Sequence, residues 1–226
     1  MKRARLAFGM FLGLLPVAAL VSYSPLAFAQ QGALFQVEFT NPQLVPAHWQ
    51  LTLHEDGSGQ FDAEGGQPSG LEATQISSGD VHRAVQLSPA FTAQVFSLAR
   101  QRKLFNYPCE SHMKVAFQGT KKLSYTGPEG SGSCEFNYSK DKEIEALGNS
   151  LLSVETTILS GARMEKLLLH DRLGLDQELD YLTGEVHNGD ATEIGVIRET
   201  LTRIASDDQV MERAQRKARL LLAQAH

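Results

Sequence analysis

The stretch Cys109 to Cys134, CESHMKVAFQGTKKLSYTGPEGSGSC, constrains this chain more than any other, because it holds the only two cysteines and reads as strands lying between them. Met113, Val115 and Phe117 alternate with Lys114, Ala116 and Gln118, the period of two of a strand with one buried face. Gly119-Thr120 can turn the chain, and Leu123 and Tyr125 then alternate with Lys122 and Ser124. Beyond a Gly/Pro/Ser loop at 126–133, Phe136 and Tyr138 alternate with Glu135 and Asn137. The pattern predicts an antiparallel meander. A Cys109–Cys134 disulfide would tie the entry of its first strand to the start of its third, a constraint that the chain-entropy model values at roughly 3 to 4 kcal/mol. Two buried free thiols are the alternative, and compartment decides between them.

Compartment is read from the first thirty residues. Lys2, Arg3 and Arg5 form a positive opening, an apolar run follows from 6 to 21, and Ala27-Phe28-Ala29 is a small-x-small cleavage site. Residues 1–29 read as a secretory signal peptide. An uncleaved anchor is the alternative, but the run is short for a membrane span and Pro16 interrupts it. The expectation is a periplasmic or secreted protein of a bacterium, with no stable membrane span after cleavage, in a space where a disulfide persists. Removal of residues 1–29 leaves 226 − 29 = 197 residues and takes Lys+Arg from 21 to 18 against 26 Asp+Glu, a net charge of −8. So acidic a chain lacks the footprint for nucleic acid, which is not an expected partner.

Taken in order, LFQVEFT at Leu34–Thr40 alternates as a first strand. Trp49, Leu51 and Leu53 alternate in a second, Phe61 and Ala63 in a third, and Asp56-Gly57 between them is the strongest short-range hairpin signal. Residues 65–70 read as a loop, 71–77 as a strand, and 81–87 as a further strand with Val81, Val85 and Leu87 on one face. Ser88-Pro89 opens a helix, Ser at the N-cap and Pro at N1, with Phe91, Val95, Leu98 and Ala99 as its apolar stripe. After Ser139 the chain has no proline and reads as helical. Ile144, Leu147, Leu151, Val154 and Ile158 lie on one stripe that Ser139 can cap. Gly161 either ends this helix or is carried through it; the apolar face at 162–168 favours one long helix. Gly174 is expected to stop it, Asp176 to cap a second helix closed by Asn188-Gly189, Asp190 and Glu193 to form a capping box for a third, and Ser206 and Gln209 one for a fourth. The fold class is therefore α+β. A mainly antiparallel sheet of five to seven strands with one packed helix occupies 30–139, and an all-helical region occupies 140–226.

Asp171 to Glu193 carries seven acidic residues and one basic, whereas Glu212 to Arg219 carries four basic and one acidic. Either acidic and basic helices are neighbours, or the basic last helix is a docking face for an acidic partner. In Ile197 to Leu222 a short turn with Asp207 and Asp208 precedes Val210 and, four residues on, Ala214. This resembles a HEAT-type helical pair, and the resemblance implies a scaffold for protein contacts. It covers one unit, where such arrays stack about three.

No spacing in the chain names a reaction. No two histidines lie three to five apart, and HExxH, CxxC, GxSxG and the phosphate-binding GxxxxGK[ST] are all absent. No metal, cofactor or catalytic residue is assigned, and enzyme activity stays open. The candidates for a hydrolytic site assembled only in three dimensions are His54, His112, His170 and Asp171, and a metal site using His54, His82 or His112 would need tertiary contact. His170-Asp171 in HDRLGLD could be a proton-transfer pair or a hydrogen-bonded corner between helices. Aromatic residues are numerous around the sheet, and an uncovered second face could use some of them as a groove. The leading expectation is a non-enzymatic exported module that engages another protein or a small apolar ligand, and a periplasmic hydrolase is the rival.

Overall fold

The computed structural model describes residues 32–64 and 79–225. The leader at 1–29, the loop at 65–70 and the strand at 71–77 lie outside the described residues. Six strands form one antiparallel sheet in the order β4-β3-β2-β1-β5-β6: β1 Leu34–Thr40, β2 His48–His54, β3 Ser58–Glu64, β4 Val81–Gln86, β5 Thr120–Gly127 and β6 Gly130–Phe136. Helices follow, so the protein is α+β with a helical C-terminal region.

Local chemistry explains the hairpins. Between β2 and β3, Gly57 takes φ +82, and the Asp56 carboxylate accepts the Ser58 backbone N–H at 2.9 Å and its hydroxyl at 2.6 Å. Only glycine adopts that backbone conformation without strain. The alternation puts Phe35, Val37, Phe39, Trp49, Leu51, Leu53, Phe61, Leu123, Tyr125 and Phe136 on one buried face. Helix α1, Pro89–Gln101, begins as its Ser-Pro opening predicts, with the Ser88 hydroxyl accepting the Phe91 N–H at 3.2 Å.

The next helix, α2 (Lys142–His170), runs 29 residues without interruption. Gly161 is carried through it because Ile197 packs on its bare Cα: a Cβ there would lie 2.3 Å from Ile197 Cγ2. The first half of α2, through Ile144, Leu147, Leu151, Val154 and Ile158, joins the sheet and α1 in one buried cluster. Its second half, from Met164, joins another with α3 (Leu175–Asn188), a 3-10 turn at Ile194–Ile197, α4 (Arg198–Ser206) and α5 (Glu212–Leu222). Polar ties link the helices to the sheet. Arg83 on β4 donates to Glu165 on α2 at 2.8 Å, Thr200 on α4 donates to the same carboxylate at 2.6 Å, and Glu193 accepts the Ser88 N–H and hydroxyl at 2.6 and 2.8 Å.

Several expectations are corrected. The meander is a hairpin: β5 and β6 are joined at Gly127↔Gly130, and the segment holding Met113, Val115 and Phe117 belongs to no strand. Alternation requires two chemically distinct faces, but not that a neighbouring strand be free to pair. The caps moved too. Asp141, not Ser139, caps α2 by accepting the Glu143 N–H at 3.0 Å, while the Ser139 hydroxyl accepts the Asp141 N–H and so braces the cap. Asp171, not Gly174, ends α2; Gly174 is the N-cap of α3, and Asp176 sits inside its first turn. Glu193 forms no capping box because its carboxylate is spent on Ser88. Ser206 ends α4, and α5 starts at Glu212 without a side-chain cap. Gly189 closes α3 at φ +85 as the Asn-Gly signal predicts. Helix α5 packs on α3 and on α4, and α4 on α2, with Val210 and Ala214 buried.

Candidate functional site

The histidines and the carboxylate named from the sequence do not meet. His54 ends β2 and is exposed; His112 is exposed beyond the disulfide; His170 is the last residue of α2. Asp171 accepts the Gly174 N–H at 3.3 Å as part of the turn into α3, and the neighbouring Arg172 reaches Asp207 at 3.3 Å, so HDRLGLD is a hydrogen-bonded helix corner. Among the described residues a histidine–carboxylate pair forms between His82 and Asp62, 2.8 Å apart across β3 and β4, both open to solvent. Among the described residues no three His, Cys, Asp or Glu side chains are placed to hold a metal ion.

The aromatics point inward: Trp49, Phe61, Phe105, Tyr125 and Phe136 are fully buried. The sheet's other face carries Gln36, Glu38, Gln50, Thr52, Gln60, Asp62, Lys122 and Ser124, and it offers no aromatic groove.

Among the described residues, two surface grooves bear on function. One, of about 540 Å³, lies between α1 and the β2–β3 turn, with Glu55, Asp56, Phe96 and Arg100 in its lining. Arg100 is already bound by Glu55 and by Glu129, the latter at 2.7 Å, and the Tyr125 hydroxyl donates to Glu129 at 2.5 Å. Those two donors hold the Glu129 carboxyl down at about 2, so it stays ionised and cannot act as an acid near neutral pH. The other groove, of about 270 Å³, has Arg172 and Arg203 at the C-terminal ends of α2 and α4, where cations offset the helix dipoles. The basic last helix is similarly engaged. Lys217 reaches Asp176 at 2.7 Å and Asp180 at 2.6 Å, and Arg213 reaches Asp176 at 2.9 Å, so acidic α3 and basic α5 are neighbours.

What stands out is the segment that failed to become a strand. Residues 112–118 are exposed throughout, with Met113 at 52%, Val115 at 41% and Phe117 at 52% exposure. Leu44, 47% exposed, belongs to the adjoining loop, where Asn41 accepts the Leu44 N–H through its backbone oxygen and donates from its side-chain amide to the Gln118 carbonyl. Monomeric proteins seldom leave large apolar side chains grouped in this way, and such patches mark interaction sites.

The strip is nonetheless held in place. On its N-terminal side Cys109 is bonded to Cys134 on β6, with their Cα atoms 5.6 Å apart. The Glu110 carboxylate accepts the Asn137 N–H at 2.7 Å and the His112 N–H at 3.1 Å, and the Ser111 N–H reaches the Tyr138 carbonyl at 2.9 Å. The bond from Asn137 is the main reason the Glu110 carboxyl sits below the usual range. On the far side the Asn137 side chain accepts the Gln118 N–H at 2.8 Å and donates to the Ala116 carbonyl at 3.1 Å.

No protein-family model matches the chain, and no curated protein matches it. The site therefore has to be read from its own chemistry. The backbone on either side of Cys109 in sequence is strained: Lys103, Leu104 and Phe105 all have φ between 52 and 64, a left-handed turn of non-glycine residues, and His112 has φ 53. Each such residue costs about 1–2 kcal/mol and persists where its surroundings compel it. His112, Lys114 and Lys140 are exposed with no side-chain partner among the described residues, whereas the nearby carboxylates of Glu110, Asp141 and Glu145 are occupied. Sequence reasoning picked out the alternating residues but placed them in a sheet. Nothing local in the sequence signals the hold that Glu110 and Asn137 exert.

Proposed function

We propose that this protein is a non-enzymatic exported module that docks an extended apolar segment of another protein, flanked by acidic residues, on the strip formed by Met113, Val115 and Phe117. The observation that carries this reading is their exposure in a segment fixed at both ends, since an incidental surface loop needs no such fastening. A partner that covers them gains hydrophobic free energy without first paying to order the strip. The unpartnered Lys114, His112 and Lys140 favour carboxylates at the rim.

Three half-exposed side chains and Leu44 offer on the order of 300 Å² of apolar surface, against about 800 Å² per partner in a standard interface, so a polar surround completes the contact. A small apolar ligand is less well supported, because both surface grooves have charged walls. Export is supported by the disulfide together with the leader-like opening of the chain. Among the described residues no helix is long and apolar enough to cross a membrane.

The test is selection of random peptides displayed on phage against the oxidised protein. Enrichment of apolar peptides with Asp or Glu at their ends, whose binding falls at least about tenfold in the variant M113S/V115S/F117S, is the expected result, equal to about 1.4 kcal/mol. Selected peptides that bind the variant as well as the parent overturn the assignment.

A further inference from the structure

We infer that the Cys109–Cys134 disulfide is a redox switch for this strip, and that its reduction releases residues 110–119 from the edge of the sheet while the sheet and helices stay folded. The inference rests on the docking reading above and adds its regulation.

The two halves of the bridge sit in different surroundings. Cys134 lies in β6, paired in register with Leu123 of β5. Phe136 and Tyr125 beside it are fully buried and keep the hairpin packed whatever the state of the sulfurs. Cys109 lies in irregular chain, between the left-handed turn at Lys103–Phe105 and the left-handed residue His112. A chain leaves such conformations when nothing compels it to stay. What remains after reduction is the burial of Cys109, the Glu110–Ser139 bridge, the contact of Gly119 with Phe39, and a few hydrogen bonds from Glu110, Ser111, Asn137 and Asn41 at a part-exposed surface, where water competes for donors and acceptors. The covalent tie is the strongest of the constraints on the strip, and a dithiol removes it reversibly.

The bridge is also reachable. Cys109 is 4% and Cys134 6% exposed, so a reductant cannot attack the folded surface directly. Both lie in the sheet's buried cluster, against which Leu104 and Tyr107 pack, but Cys109 sits in chain with no regular secondary structure, which opens locally more readily than the sheet. A dithiol then completes the exchange. One thiolate attacks a cystine sulfur to form a mixed disulfide, the second thiol displaces the cysteine and closes the reductant into its own disulfide, and two electrons and two protons end on Cys109 and Cys134 as thiols.

The experiment uses the full oxidised chain, with and without dithiothreitol, followed by amide hydrogen exchange and by limited trypsin cleavage after Lys114. Reduction is expected to abolish protection at Ser111 and Gln118 and to speed cleavage after Lys114 by about tenfold, with exchange in β1, β2 and β3 and the far-ultraviolet circular dichroism unchanged. Reoxidation should restore the starting state, and C109S/C134S should match the reduced protein in oxidising buffer. Unchanged exchange and cleavage in the strip on reduction overturn the switch, and so does loss of protection across the whole sheet. Peptides selected on the oxidised protein supply a second readout: binding that survives reduction while the strip loosens also overturns it. If no peptide binds either form, the docking reading fails, and exchange alone decides whether reduction releases the strip.

Discussion

Replacing Gly161 with alanine probes how the helical region is joined to the rest. In an ordinary helix interior the change stabilises by about 1 kcal/mol, because alanine loses less backbone entropy than glycine. Here the new methyl would lie 2.3 Å from Ile197 Cγ2 and 3.2 Å from Ile197 Cβ, where carbon atoms normally stop at about 3.5–4 Å. Ile197 is 1% exposed and β-branched, so it has no alternative rotamer pointing into space. Overpacking of this kind costs about 1–3 kcal/mol, and with the helix gain of about 1 kcal/mol set against it the expected net loss is about 0–2 kcal/mol, or up to about 8 °C in Tm for a domain of this size. Urea unfolding should be followed both by Trp49 fluorescence, the sole tryptophan, and by circular dichroism at the helix band. The clash makes a second, sharper demand: Ile197→Ala removes the methyl that collides, so G161A should stabilise by about 1 kcal/mol in an I197A background, a coupling of about 1–3 kcal/mol in the double-mutant cycle. A G161A protein more stable than the parent, or a cycle that closes with no coupling, would refute the close approach of α2 to the 3-10 turn.

Two further substitutions test buried charge. Burial pushes the Glu155 carboxyl up to about 7, and Arg163 is the one group that pulls it back. Its folded pKa is raised above the unfolded value, so stability falls as pH rises from about 4.5 to 7 and the cost is fully present above that window. A shift of this size corresponds to about 3 kcal/mol, which partial exposure screens to about 1–2 kcal/mol; Glu155→Gln should therefore raise Tm at pH 8 and leave it unchanged near pH 4.5, and equal gains at both values would count against the burial. Lys121 is 1% exposed, with its ammonium 3.2 Å from the Asn137 carbonyl and 5.5 Å from the centre of the Phe136 ring. Burial lowers its pKa, so the cost is present while the group is charged and fades as pH climbs through the folded pKa toward the unfolded value. Lys121→Met should be neutral or stabilising by up to about 2 kcal/mol at pH 7 in chemical denaturation, with a smaller difference at pH 10; a loss above about 2 kcal/mol would mean the ammonium is a net stabiliser.

Much of the architecture was legible residue by residue. The alternation in β1 and β2, the Asp56-Gly57 turn, the Ser88-Pro89 helix start and the stripe from Ile144 to Ile158 depend on interactions within a few positions along the chain, and these hold whatever surrounds them. The pairing of Cys109 with Cys134 could be anticipated because two cysteines allow one intramolecular bridge. The caps were less secure, since Ser139, Asp141, Asp176 and Glu193 offer equivalent local chemistry, and a contact across 105 residues took Glu193 away to Ser88. The candidate site was legible only as a pattern. Met113, Val115 and Phe117 declare two faces, but whether the apolar one is covered depends on which backbone lies beside it, and here Glu110 and Asn137 fasten the segment outside any strand and leave those side chains exposed. Gly161 is the same case in a helix: its own neighbours permit a break, and the methyl of a residue 36 positions away requires that it be glycine and continuous. Local hydrogen bonding and hydrophobic period are written in consecutive residues, whereas exposure and close approach are properties of surfaces that meet only when distant parts of the chain pack together.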